Sequence, residues 1–367
     1  MAVKHFADFG AEKMLYDARM QPQAILYKDT IYIAYFANPQ ARVGHPYIIT
    51  YNIEEKQWSE PVKLGDNPKA DHHLAPIIWI ENTGIIHVLY GCHFSPGVHL
   101  VSTKPGDITS WDQGAEIAPS ISYPSVRRIY KNQLLLLYRV EGHLGHWVYS
   151  VSFDQGNTWD APQTFMDFDH DPQDETDKWA GSYLSACTGQ EGKALYIGFC
   201  HWEERDNINP DYKFNTDLFS RYDLYYVWLD IPAGKFLTVT GEEMDLPINR
   251  RTAEKCKIIS TGNELSNFPS VIEDQDMNPC LLVPVTEGNA WRTRFHFFNW
   301  YRGMWQHTTL AKSDNTWSGS QLFQDADGTF RAYLIAGQGK KEEYHKPACH
   351  KTCYHPYNII GLYKPQG

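Results

Sequence analysis

The sequence predicts an all-β fold made of repeated four-stranded sheets, and three observations carry that prediction. Aromatic residues make up 14% of the chain, with 23 Tyr, 12 Trp and 17 Phe. Long Leu/Ala/Glu/Lys stretches of helical period are missing, which favours strands. A pattern of strand, polar turn, strand returns about every 50 residues, the mark of a stacked repeat. Each period also contains a second, more amphipathic hairpin, so the unit has four strands and cannot bury both of its faces alone.

The first hairpins of the units fall at 24–37 (AILYKDTIYIAYFA), 75–93, 123–141, 183–202, 268–288 and 319–337. The second hairpins follow at 47–64, 98–117, 147–165, 224–242 and 292–310. The two ends, near 5–17 and 358–364, each offer a lone strand able to complete a sheet. Together these elements predict a β-propeller, a single domain over residues 1–367 whose ring is closed by the N- and C-terminal strands. Six blades can be counted. The interval 243–267 is irregular and holds a seventh only in degenerate form, while 167–180 and 203–217 read as polar loops overhanging one face.

The turn Ser152-Phe153-Asp154-Gln155-Gly156-Asn157-Thr158-Trp159 matches the S-x-D-x-G-x-T-W Asp-box of sialidase-like and other propellers. In such a turn Asp154 accepts backbone N–H bonds, Gly156 allows positive φ and Trp159 packs between sheets. Decayed copies stand at Asn52–Trp58 and Asn299–Trp305. The motif speaks for architecture and not for chemistry.

The formal charge is −11, from 44 acidic and 33 basic residues, which discourages non-specific binding to nucleic acid or to anionic membrane. An anionic ligand then needs a local basic pocket. No apolar run reaches the roughly 18 to 20 residues that span a bilayer. Met1 is followed almost at once by polar and charged residues, so no signal peptide is visible, and the expectation is a cytoplasmic chain or a secreted or periplasmic one that has lost its signal. We expect a monomer with no organic cofactor.

Repeat position gathers the candidate site. His73, in Asp71-His72-His73, lies just before its hairpin and His93 at the far end, so the two imidazoles meet in space. The equivalent places in the next unit hold Tyr123 and Arg139, and in the one after, Tyr183 and His201. A lone His or Tyr at a strand end is more often a packed structural residue; coincidence of repeat positions is what singles these out. Strand alternation turns His72 away from His73, and at least one of Arg127 and Arg128 reads as a solvated surface charge. Two histidines, a guanidinium and two phenols suit an acidic sugar. Arg139 can grip a carboxylate in a bidentate fork, and neutralising a uronate stabilises the enolate-like species formed when its C5 proton leaves. A His or Tyr can take that proton, and another can protonate the departing glycosidic oxygen.

Asp71-His72-His73, Gly91-Cys92-His93-Phe94, Tyr123-Pro124, Tyr138-Arg139 and Gly181-Ser182-Tyr183, in that order and spacing, resemble the BNR-type propeller proteins that include the ulvan lyases. The repeat likeness runs over about residues 20–340, and its specific part over 71–202. The resemblance implies a seven-bladed propeller that cleaves rhamnose–uronate bonds by β-elimination. It implies active-site histidines at 73 and 93, a catalytic tyrosine at 123, a carboxylate neutraliser at Arg139 and a second site tyrosine at Tyr183. The chain is shorter than typical members. A sialidase-like glycoside hydrolase and a non-catalytic carbohydrate-binding propeller are the alternatives; the first usually needs an acidic pair or an arginine triad, and this set is poor in carboxylates.

Seven cysteines cannot all pair, and five are scattered. Cys349, Cys353 and His355, with His350 between them, are dense enough for zinc. Closing a tetrahedral set needs distant help, for which His201 and Cys256 are the candidates. The resemblance likewise implies a structural zinc; the alternative is a terminal loop with free thiols.

Overall fold

The computed structural model describes residues 16–17, 19–37, 44–69, 71–140, 145–168, 180–203, 220–262, 264–288, 292–313, 320–336 and 358–360. Its fold class is the expected one: all-β, with the antiparallel four-stranded blades of a β-propeller. Among the described residues there are six sheets, one for each first hairpin. The first comprises Gln23–Tyr27, Thr30–Ala37, His45–Asn52 and Gln57–Trp58, with Val62–Lys63 added beside the third strand. The second comprises Ile77–Ile80, Ile86–Tyr90, Val98–Ser102 and Trp111–Gln113. The third runs Ser122–Arg128, Leu134–Arg139, Trp147–Ser152 and Gln163–Met166.

The fourth sheet has Ala180–Gly189, Ala194–Glu203, Ser220–Asp230 and Lys235–Leu237, and the fifth Ser270–Glu273, Pro279–Thr286, Thr293–Tyr301 and Met304–Ser313. In the sixth, the late strand Asn358–Ile360 joins Ser320–Gln324 and Phe330–Ala336. The expected N-terminal strand lies outside the described residues but for Tyr16 and Asp17. The described residues of the irregular interval form no sheet of their own. It contains a four-residue helix, Arg250–Ala253, capped by Asn249, and the strand Lys257–Ile259, which extends the edge of the fourth sheet by pairing with Leu224 and Tyr225. No helix among the described residues is long and apolar enough to cross a membrane.

The chain divides into two compact units, Met1–Arg128 with Asn132–Gln163, and Ile129–Lys131 with Thr164–Gly367. Within the first, Tyr32, Ala34 and Ile48 pack on Ile78, Ile80, Ile86, Val88 and Tyr90 of the next sheet. Within the second, Pro279–Thr286 is buried along its whole length. Successive side chains of a strand point to opposite faces. Leu281, Val283 and Val285 therefore enter the core shared with Tyr196 and Tyr226, while Cys280 and Leu282 enter the core shared with Phe295 and Leu334. Burial on both faces is why these strands read as continuous apolar runs.

The turn at 152–159 ties two sheets of the first unit together. Asp154 Oδ1 accepts from Thr158 N at 2.9 Å and from Ser152 Oγ at 2.8 Å, and Gly156 N donates to Ser152 Oγ at 2.7 Å with Gly156 at φ +101°. Across to the second sheet, Trp79 Nε1 donates to Gln155 O at 3.2 Å, Asn82 N to Gln155 Oε1 at 2.6 Å, and Asn157 Nδ2 to Glu81 Oε1 at 3.0 Å. Trp159 sets its ring edge-on to Trp79, 6.1 Å away. Arg128, exposed as a residue, sends its guanidinium to Ile80 O and Asn132 Oδ1, whereas Arg127 is half-buried and bonds Gln21 Oε1.

Candidate functional site

The site begins with a short turn. Asp71 caps the single 3₁₀ turn His72–Leu74, its Oδ1 accepting from His73 N at 3.0 Å and lying 2.6 Å from His73 Nδ1. A carboxylate can only accept there, so the Nδ1 carries the proton and Nε2 keeps the lone pair. The other end of the hairpin is tied back to the same turn, because Gly91 N donates to Leu74 O at 3.1 Å. His93 follows two residues later and stacks on His73 at 4.2 Å with 14° between the planes. The His72 ring lies 3.9 Å from that of His73, tilted by 37°. The turned-away position expected for His72 is thus corrected: the segment is a 3₁₀ turn and not a strand, so period-two alternation does not apply.

Tyr123 completes the cluster through a β-bulge. Ser122 pairs with Arg139 and Ser125 with Leu137, which leaves Tyr123 and Pro124 both opposite Tyr138. Tyr123 takes φ +54°, a left-handed conformation rare for a bulky side chain. Such strain costs about 1–3 kcal/mol and persists where the surroundings enforce it. A bulge re-aims a side chain, and here it brings the buried ring to 5.4 Å from His73 and 5.9 Å from His93. Arg139, fully buried, sets its Cζ 4.7 Å from the Tyr123 ring and 6.0 Å from that of Trp147.

Two residues that the repeat pattern did not single out join this set. Arg19 Cζ lies 5.0 Å from the Tyr123 ring, and its guanidinium forks onto Asp17, Nε to Oδ1 at 2.8 Å and Nη2 to Oδ2 at 2.6 Å. Asp17 has no exposed surface, and its Oδ2 is 3.5 Å from His72 Nε2. Burial raises the Asp17 carboxyl, but Arg19 and the two histidines overcome this and hold it well below the usual carboxylate range. Asp71 is held low in the same way, burial being outweighed by its bonds to His73 and Lys69. Burial takes His73 down to about 4, helped by Arg19 and opposed by Asp71, and takes His72 down to about 3. Both rings are neutral at pH 7.

Asp17, His72 and His73, and likewise Asp71, His73 and His93, bring their ligand atoms within 4.8 Å of one another. Both sets share His73. Their carboxylates are already engaged, Asp17 by Arg19 and Asp71 by His73 and Lys69, and two guanidiniums flank the cluster. This favours the handling of protons and anions over cation binding.

Tyr183 belongs to the second unit. It is buried, pairs with Cys200, and lies 4.2 Å from Arg221 Cζ and 6.2 Å edge-on from Trp202. Of the residues expected for zinc, Cys349, Cys353 and His355 lie outside the described residues. His201 sits opposite Ser182 and Tyr222, with its ring 5.4 Å from Phe168. Cys256 is buried and donates to Ala253 O at 3.2 Å, and burial pushes its thiol up to about 12. Among the described residues neither belongs to a set of three such ligand groups.

Comparison with known proteins places these features. A model of the BNR repeat-containing family matches residues 30–318. The ulvan lyase of Nonlabens ulvanivorans is 26% identical over 340 residues, covering 84% of this chain and 70% of that one. An ulvan lyase of Alteromonas sp. (strain LOR) is 29% identical over 289 residues, 71% of this chain and 57% of its own length. The chain thus spans little more than half of the Alteromonas protein. Among solved structures, a PL25 ulvan lyase bound to -[GlcA(1-4)Rha3S]- superposes with TM-score 0.78 at 22% identity, over 92% of this chain and 81% of that one. The polysaccharide lyase Uly1 superposes with TM-score 0.63 at 12% identity, over 99% and 83%.

Proposed function

The chain belongs to the BNR repeat-containing family, and on that premise we propose that it is a polysaccharide lyase cleaving a uronate-containing glycan of the ulvan kind by β-elimination. The observation that carries the reading is the neutral His73, with Nδ1–H held by Asp71, stacked on His93 and set against His72 and the bulged Tyr123. The relatives named as ulvan lyases support the substrate class.

In this reading His73 Nε2 takes the C5 proton of the uronate. The C–H electron pair becomes the C4=C5 double bond, the C4–O bond breaks, and the Tyr123 phenol gives its proton to the departing oxygen. Arg139, with no exposed surface, acts through its charge beneath the Tyr123 ring and favours the anionic intermediate. His93, only partly buried, is the side chain placed to donate directly to the uronate carboxylate. Asp17 and Arg19 hold His72 and Tyr123 in place.

A panel of ulvan and other uronate polymers tests the reading. The absorbance band of unsaturated uronate should rise with at least one of them, and no rise with any would overturn it. A hydrolase would give products without that band.

For zinc, Cys349, Cys353 and His355 with His201 are the proposed ligands, in a structural role. Cys256 is the other candidate beside His201 for the closing ligand, where it would bind as the thiolate. Metal analysis of the purified chain should find about one zinc per chain, with a lower melting temperature in chelator. A metal-free chain that melts unchanged would dismiss the site.

A further inference from the structure

We propose that Phe94 is the platform of a sugar subsite beside the His73–His93–Tyr123 cluster, stacking on the apolar face of a pyranose next to the uronate that reacts. The inference deepens the lyase reading and rests on it for the position of the reacting sugar.

Phe94 combines two unfavourable features in one residue. The residue is 51% exposed, although His73, Tyr123 and Arg139 of the same cluster are buried. Its backbone is at φ +57°, where a bulky residue is strained. The loop that carries it is nonetheless well fixed. Phe94 N donates to Ser122 Oγ at 3.2 Å, the residue that opens the Tyr123 bulge. Ser95 Oγ donates to Gly91 O at 2.8 Å, and Ser95 bridges to Ile121, whose N donates to Ser95 O at 3.0 Å. Cys92 is fully buried beneath. A strained, exposed aromatic on a pinned loop is held outward by its surroundings.

The outward ring is also aimed. It meets His93 edge-on at 4.5 Å, with 73° between the planes, so it prolongs the aromatic wall of His72, His73 and His93 toward solvent. In an acidic polysaccharide the charged and hydroxyl groups project from the rim of each pyranose, which leaves a face of C–H bonds. An aromatic ring covers such a face without needing a charge of its own. The buried guanidiniums and imidazoles serve the acidic sugar; Phe94 serves its neighbour along the chain.

The test compares wild type, Phe94→Ala, Phe94→Leu and Phe94→Trp on the polymer that gives the strongest unsaturated-uronate signal. The expected result is a KM raised about tenfold in the Ala and Leu variants, with kcat within about twofold and the Trp variant close to wild type, as loss of one stacking contact would give. An unchanged KM in Phe94→Ala, or a fall in kcat that Trp does not rescue, overturns the proposal. Should Phe94→Ala fail to fold by circular dichroism, Phe94→Leu keeps the bulk, and its KM decides. Affinity electrophoresis in gels containing the polymer separates this proposal from the lyase reading. If wild type binds but no polymer is cleaved, the lyase reading falls, while weaker retardation of Phe94→Ala still supports the platform and equal retardation refutes it.

Discussion

Asp71 makes two bonds to one residue, and the second decides which nitrogen of His73 carries the proton. Replacing it by Asn separates the two roles. Asn caps a helical turn as well as Asp does, so Asp71→Asn should still fold, with a melting temperature lowered by loss of the charged bonds to His73 and Lys69. An amide can offer either a donor or an acceptor to Nδ1, so the tautomer is no longer fixed and kcat on the polymer should fall about 10²-fold or more. Full activity in Asp71→Asn would remove His73 from the role of base. Tyr123→Phe keeps the ring beside Arg19 and Arg139 and loses only the hydroxyl; kcat should fall by about 10²- to 10⁴-fold, with the fold retained by circular dichroism. His73, His93, Tyr123 and Arg139 were legible because each occupies an equivalent end of a repeated hairpin. Asp17 and Arg19 were not, since they precede the first repeat and are set by a local turn, in which Met20 N donates to Asp17 O and Arg19 N to Asp17 Oδ1.

At the scale of elements, the Tyr123 bulge and the Gly156 turn show how local backbone geometry carries the arrangement. A Cβ at residue 156 would come within 2.2 Å of Trp79 Nε1, at a φ of +101°. Gly156→Ala should therefore destabilise the first unit by about 1–3 kcal/mol, read from the midpoint of denaturant unfolding; an unmoved midpoint would show that the turn does not hold these two sheets. The six hairpins were readable from turn residues and apolar runs. The interval 243–267 was not, because a four-residue helix and a three-residue edge strand are too short to show a period. Nor was the bulge, since it depends on the pairing of Ser122 and Ser125 with a strand a dozen residues away.

For the whole molecule, the histidines give acid sensitivity of one sign. Burial takes His73, His99 and His296 down to about 4 and His72 to about 3, from an ordinary 6.5. As pH falls from about 6.5 to about 4, the unfolded chain takes up these protons and the folded chain does not, so stability is lost across that window. Asp17 and Asp71 act in the same direction at lower pH, their folded values lying well below the ordinary 3.8. The melting temperature should drop between pH 7 and pH 5, and a flat profile would count against buried neutral imidazoles. The strand Pro279–Thr286 carries a different lesson. Because alternate residues feed two separate apolar cores, a slip of one position would not put an oily face in water; it would only exchange the two cores. Polarity therefore does not police the register of this strand, as it does in a half-exposed sheet. That task falls to the sizes of the side chains, so misaligned arrangements are near competitors of the native one, and an apolar-for-apolar exchange here is not a silent change.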